Sequence, residues 1–188
     1  MSTNRAQFPR KRLAIRALLA VGFAGAFRRS ELAELLVQDV TFHPEGAELI
    51  VRRANTGQDA QGSAKVIVYG ENPVTCPVRA LEEWPEVAGL VEGPVFRPID
   101  RHENVQERAI TPHSVAVIVK AAASRAGLDP TLVSGHSLRA GFVATATLNG
   151  ASDAAVMEQS GHRSIEMLRR YTRRAEERNA PASGKLGL

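Results

Sequence analysis

The sequence predicts a mainly α-helical domain with one small antiparallel β-hairpin sheet, an α+β arrangement. Three observations carry this. Apolar residues recur at helical spacing through most of the chain. Strand-like segments are confined to 48–52 and 64–69. The 188 residues, 44% apolar and 23% charged, suit one domain around one sizeable core.

The elements follow in order. Lys11 to Phe27 reads as a largely buried helix, and Ser30 to Val40 as another, with Leu32, Leu35 and Leu36 on one face. Glu48 to Arg52 and Ala64 to Tyr69 then read as two strands, joined across the polar, Gly-containing stretch from Asn55 to Ser63. Cys76-Pro77 opens a short helix through Trp84, with Thr75 as its cap. Thr111-Pro112 repeats that start for a helix to Arg125, closed by Gly127. Asp129 to Ser134 is a connector. Helices follow at about 136–149, 152–160 and 164–178. The tail, Asn179 to Leu188, is small, polar and flexible. This gives a domain over 1–178 and a tail over 179–188.

Composition removes several functional classes. One cysteine, Cys76, excludes a disulfide framework and a Cys-rich zinc module. The longest apolar stretch, Ala17 to Phe27, contains glycines and is too short to span a bilayer. The start, M-S-T-N-R-A-Q, lacks the apolar core of a secretory leader. There is no Gly-rich phosphate loop, no H-E-x-x-H and no carboxylate cluster with metal spacing. The expected chemistry therefore uses neither metal nor cofactor.

Net charge is +4, with 20 Arg against 4 Lys, and its distribution matters more than its size. Residues 1–30 hold seven basic side chains and no acid, and 163–178 hold six Arg against three Glu. If these two ends meet in space, they form an anion-attracting surface; solubilising charge is the competing reading. Arg is the residue suited to forked phosphate contact.

Four stretches carry candidate chemistry: G-A-F-R-R-S-E-L from Gly25, G-H-S-L-R from Gly135, G-H-R from Gly161, and L-R-R-Y from Leu168. His136 and Arg139 are three apart and share a helix face, so both can address one anion. Tyr171 lies among Arg169, Arg170, Arg173 and Arg174, cations that favour a nucleophilic phenolate. His43, His102 and His113 have no partner pattern and read as surface or packing residues.

Taken in order, these stretches resemble the catalytic domain of the tyrosine recombinases, the phage integrase family, over roughly residues 12 to 178. The pattern supplies Arg28 from G-A-F-R-R-S-E-L, His136 and Arg139 from H-S-L-R, His162 from S-G-H-R and Tyr171 from L-R-R-Y-T-R. The spacing of 32 residues from Arg139 to Tyr171, and of 9 from His162 to Tyr171, also fits. The resemblance implies site-specific recombination or integration by a type IB topoisomerase-like route. Tyr171 would attack a phosphodiester to leave a 3′-phosphotyrosine and a free 5′-hydroxyl. Arg28 and Arg139 would clamp the phosphoryl oxygens, His136 would help take the tyrosine proton, and His162 would donate to a non-bridging oxygen.

Two departures stand out. The family's general-acid lysine sits before the hairpin tip in a K-T context, and here Asn55-Thr56 occupies that place; the nearby lysine is Lys65, on the returning strand. The helical core-binding domain that usually precedes the catalytic domain is absent from these 188 residues, as in a catalytic fragment or a truncated product. Two rival functions therefore stay open: a DNA-binding relic that does not recombine, and a metal-independent phosphodiesterase. The implied partner is double-stranded DNA. The free chain is expected to be a monomer, with a tetramer on DNA implied by the family. A cytoplasmic protein of bacterial or phage origin, without membrane association, is the expected setting.

Overall fold

The computed structural model describes residues 9–52 and 63–169. The expected architecture is present: helices around a small antiparallel sheet. Helix α1 (Arg10–Ala24) and α2 (Arg29–Glu34) precede strands β1 (Val40–His43), β2 (Gly46–Val51) and β3 (Ser63–Val68). Helices α3 (Pro77–Ala88), α4 (Pro112–Arg125), α5 (Ser137–Leu148) and α6 (Asp153–Ser160) complete the order, and 165–169 are helical again.

The sheet has three strands in the order β1-β2-β3, one more than the sequence suggested. The helix expected over Ser30 to Val40 stops at Glu34 because Leu35 turns extended (φ −64°, ψ 127°). Its carbonyl accepts from Val95 N–H at 2.9 Å, and Val37 N–H reaches Gly93 O at 2.8 Å. Residues 35–37 thus pair with the 93–95 segment instead of propagating the helix. Asp39, 4% exposed, takes both Arg52 Nε and Nη2 at 3.0 and 2.6 Å, and Val40 then opens β1.

The other boundaries shift for local reasons. Helix α1 ends at Ala24 rather than Phe27, because Ala26 enters the left-handed region (φ +50°). Helix α3 begins with Cys76, not Thr75, at the cap position, and it runs past Trp84 through Pro85 to Ala88. Burial of Val78, Leu81 and Trp84 along one face, with Trp84 Nε1 donating to Val95 O at 2.8 Å, carries α3 through the proline. Helix α4 starts as expected, with Thr111 Oγ1 accepting from Ser114 N–H.

Packing falls into two parts. The main core joins Leu13, Leu18 and Val21 of α1 to Leu32 of α2, Leu49 of β2, Ile67 of β3, Trp84 of α3 and Val115 of α4. A smaller cluster joins Val143 of α5, Val156 of α6 and Leu168. The two parts are tied by Leu138 of α5, which packs against the main core, and by polar contacts. Gln159 Nε2 donates to Ala24 O at 3.2 Å and to Val66 O at 2.9 Å, stapling α6 to the end of α1 and to β3. None of the helices among the described residues is long and apolar enough to cross a membrane.

Candidate functional site

Four of the residues singled out from the sequence meet at the seam between these two packed parts. The G-A-F-R motif supplies the first. Gly25 is required by a close approach, since a Cβ there would meet the Phe27 ring at 2.2 Å. The turn leaves Ala26 left-handed and delivers Arg28 to the first position before α2. Glu31, one turn on, accepts from both Arg28 N–H at 2.7 Å and Arg28 Nη1 at 2.5 Å. One carboxylate therefore closes the helix N-terminus and orients the half-exposed guanidinium.

Arg139, on the first turn of α5, is 6% exposed and donates from Nη1 to Ala26 O at 3.2 Å. This bond, between residues 113 apart, docks α5 against the loop that carries Arg28. His136 stands exposed just before α5, with its backbone N–H on Ser134 Oγ. A guanidinium buried to this degree is retained only where it is hydrogen-bonded.

Lys65 enters from the sheet. It pairs with Leu49 across the β2–β3 ladder and so lies on the inward face, 5% exposed. Its Nζ donates to Gln159 O at 2.5 Å and sits 5.2 Å from the Phe27 ring centroid. Burial lowers its pKa to about 8; Glu31 opposes that shift, while Arg139 and Arg28 add to it. An ammonium with that value is largely protonated at neutral pH yet gives up its proton readily.

The same shift has a measurable cost. In the unfolded chain the group titrates at the ordinary 10.5, so between about 8 and 10.5 the unfolded state holds more protons than the folded one. Stability therefore rises with pH across that window, by about 3 kcal/mol from this group. Urea unfolding at pH 7 and pH 10 should show wild type gaining on Lys65→Met; parallel changes in the two proteins would refute the assignment.

His162 follows α6. Gly161 is left-handed (φ +64°), a conformation that closes the helix and that a side chain would strain. The reversal sets the imidazole back against α6, where Nδ1 lies 2.7 Å from Ser160 Oγ. Burial, then the charges of Arg139, Arg28 and Lys65, hold the His162 pKa at about 4. The ring is neutral at physiological pH.

Arg28, Arg139, Lys65 and His162 are thus brought together, with Arg28 and Arg139 both acting electrostatically on Lys65 and on His162. Tyr171 and Asn55 lie outside the described residues. Sequence reasoning missed three participants: Glu31, Gln159 and Ser160. Glu31 had a visible sign, its spacing three residues after Arg28 at a helix start. Gln159 and Ser160 act through contacts that only the tertiary structure creates. Among the described residues, no group of three or more His, Cys, Asp or Glu is arranged to hold a metal ion.

Two guanidinium forks, an ammonium and an imidazole at one locus make a site for a phosphate-like anion on a mainly helical scaffold. The chain belongs to the phage integrase family, whose pattern it matches over residues 4–178. It is 40% identical over 156 residues to an integrase/recombinase XerD homologue of Selenomonas ruminantium, an alignment that takes in 83% of this chain and 46% of that protein.

Solved structures share the fold. The XerH site-specific recombinase, in a post-cleavage complex with palindromic difH substrate, matches with a TM-score of 0.69 at 19% identity, over 98% of this chain and 47% of XerH. The XerA recombinase matches at 0.64 and 19% identity, over 96% of this chain and 63% of XerA. Lambda integrase residues 75–356, a dimer bound to a COC′ core site, match at 0.58 and 16% identity, over 85% of this chain and 52% of that one. The chain spans about half the length of the XerD homologue and of XerH.

Proposed function

We propose that this chain is the catalytic domain of a site-specific DNA recombinase that breaks and rejoins strands through a 3′-phosphotyrosine. The observation that carries the reading is the meeting of Arg28, Arg139, Lys65 and His162, drawn from four separate elements, at one cationic locus. Phosphoryl transfer accumulates negative charge on the phosphoryl oxygens, and fixed guanidinium forks stabilise that charge without reorganising. Arg28 and Arg139 take this role. Tyr171 is the nucleophile and His136 assists removal of its proton.

The departing 5′-oxygen needs a proton, and Asn55 cannot supply one at neutral pH. Lys65 takes that role: it projects into the same cluster from β3, its ammonium held on a carbonyl rather than on a carboxylate. The bond energy is kept in the phosphotyrosine link, so rejoining reverses the step. Free chain is monomeric in this reading, and the reaction proceeds in a tetramer on DNA.

The direct experiment is incubation with nicked suicide duplexes of randomised sequence. A denaturant-resistant protein–DNA adduct through the 3′ end is expected. Binding without adduct would favour a DNA-binding relic, the reading to which Asn55 points, and release of free hydrolysed ends would favour a phosphodiesterase.

Affinity for duplex DNA should fall steeply with salt, because it rests on phosphate neutralisation by Arg and Lys. Filter binding or anisotropy between low and physiological ionic strength checks this. Tight binding insensitive to salt would contradict it.

A further inference from the structure

The bond between Ser160 and His162 fixes more than the position of the ring. Ser160 is wholly buried, and its hydroxyl lies 2.5 Å from Val156 O and 2.7 Å from His162 Nδ1. A hydroxyl has one proton, and a carbonyl can only accept. The Ser160 proton therefore goes to Val156 O, the familiar bond of a helical serine to the carbonyl one turn back. Oγ is left as an acceptor toward the imidazole, so Nδ1 must carry the ring's proton.

We propose that Ser160 is a positioning residue that holds His162 as the Nδ1–H tautomer, so that His162 meets the site through Nε2 as a proton acceptor. It becomes a donor to a phosphoryl oxygen only after taking up a second proton. This refines the donor role expected from the family pattern, and its part in the reaction rests on the recombinase reading; the tautomer itself does not.

The surroundings agree. Among the described residues, Arg139 from α5, Arg28 from the start of α2 and Lys65 from β3 act on His162 as cations, and burial, the largest cause, adds to them in keeping the ring neutral. A neutral ring is the only form in which the choice of tautomer matters. An arriving phosphate offsets those cations and favours protonation at Nε2, with Nδ1–H still on Ser160. Binding of the anion and recruitment of His162 as a donor are then one coupled event.

The test is nitrogen-15 imidazole spectroscopy on the free full chain at pH 7. His162 should show a protonated Nδ1 and an Nε2 that carries no proton. Ser160→Ala should lose that preference and shift the ring toward Nε2–H, while Ser160→Thr, which keeps the hydroxyl, should restore it. A wild-type ring protonated at Nε2 overturns the proposal, whatever the variants do. Ser160→Ala that folds and keeps Nδ1–H overturns it as well.

Adding sulfate, an anion that does not itself titrate near neutrality, should raise the His162 pKa in wild type; an unchanged value would refute the coupling. These readouts need no DNA cleavage. A correct tautomer with no covalent adduct would count against the recombinase reading alone, and adduct formation with Nε2–H against this proposal alone.

Discussion

Tyr171→Phe should abolish covalent attachment to DNA and leave duplex affinity unchanged. The substitution removes one oxygen, the only atom in that side chain able to form a bond to phosphorus. Deleting a nucleophile from a preorganised site costs a factor on the order of 10⁶ in rate, which in an adduct assay reads as complete loss. Binding rests instead on phosphate contacts by Arg and Lys, which the variant retains. Parallel anisotropy and suicide-duplex measurements separate the two quantities. Adduct formation that survives in the phenylalanine variant would force another nucleophile and end the tyrosine recombinase reading.

Lys65→Ala should lower strand cleavage by about 10²–10⁴-fold, the usual contribution of a positioned general acid. The cause can be isolated chemically. A substrate whose bridging 5′-oxygen is replaced by sulfur leaves as a thiolate, which needs no proton. On that substrate the variant should cleave as fast as wild type. A defect that persists there would mean that Lys65 only supports the structure through Gln159 O. In wild type the rate on ordinary DNA should also decline above about pH 8, where the Lys65 ammonium is lost, and the sulfur substrate should not show that decline.

Much of this arrangement was legible in the sequence, and particular residues show where legibility stopped. The ordered motifs pointed to Arg28, Arg139 and His162, which the structure brings together, because each sits beside local punctuation such as a Gly turn or a helix start. Strand β1 was hidden because Leu35 and Leu36 continue the helical spacing of Leu32, while the competing pairing of 35–37 with 93–95 is a non-local event.

The burial of Lys65 was hidden for a different reason. In A-K-V-I-V-Y, alternation alone would turn the lysine outward with its neighbours inward, yet Val66 and Val68 are 59% and 63% exposed while Lys65 is 5% exposed. The face was chosen by Ile67 joining the core and by Gln159 offering a carbonyl. Ser160 entered the sequence pattern only as the residue before Gly161-His162. Its value lies in a reversal at Gly161 that returns His162 to it.

The division of the packing into two parts bears on how this protein can be observed. Trp84, the single tryptophan, is fully buried in the main core, its indole N–H on Val95 O. Its emission reports on α1, α3 and their neighbours. Arg139 and His162 belong to the other part, built on Val143, Val156 and Leu168 and joined to the main core by Leu138 and a few hydrogen bonds. Loosening of α5 and α6 would dismantle the anion site without altering the environment of the indole. A sample judged intact by fluorescence can therefore have lost this cluster, and the optical midpoint of a melting curve is an upper bound on the temperature at which the cluster survives.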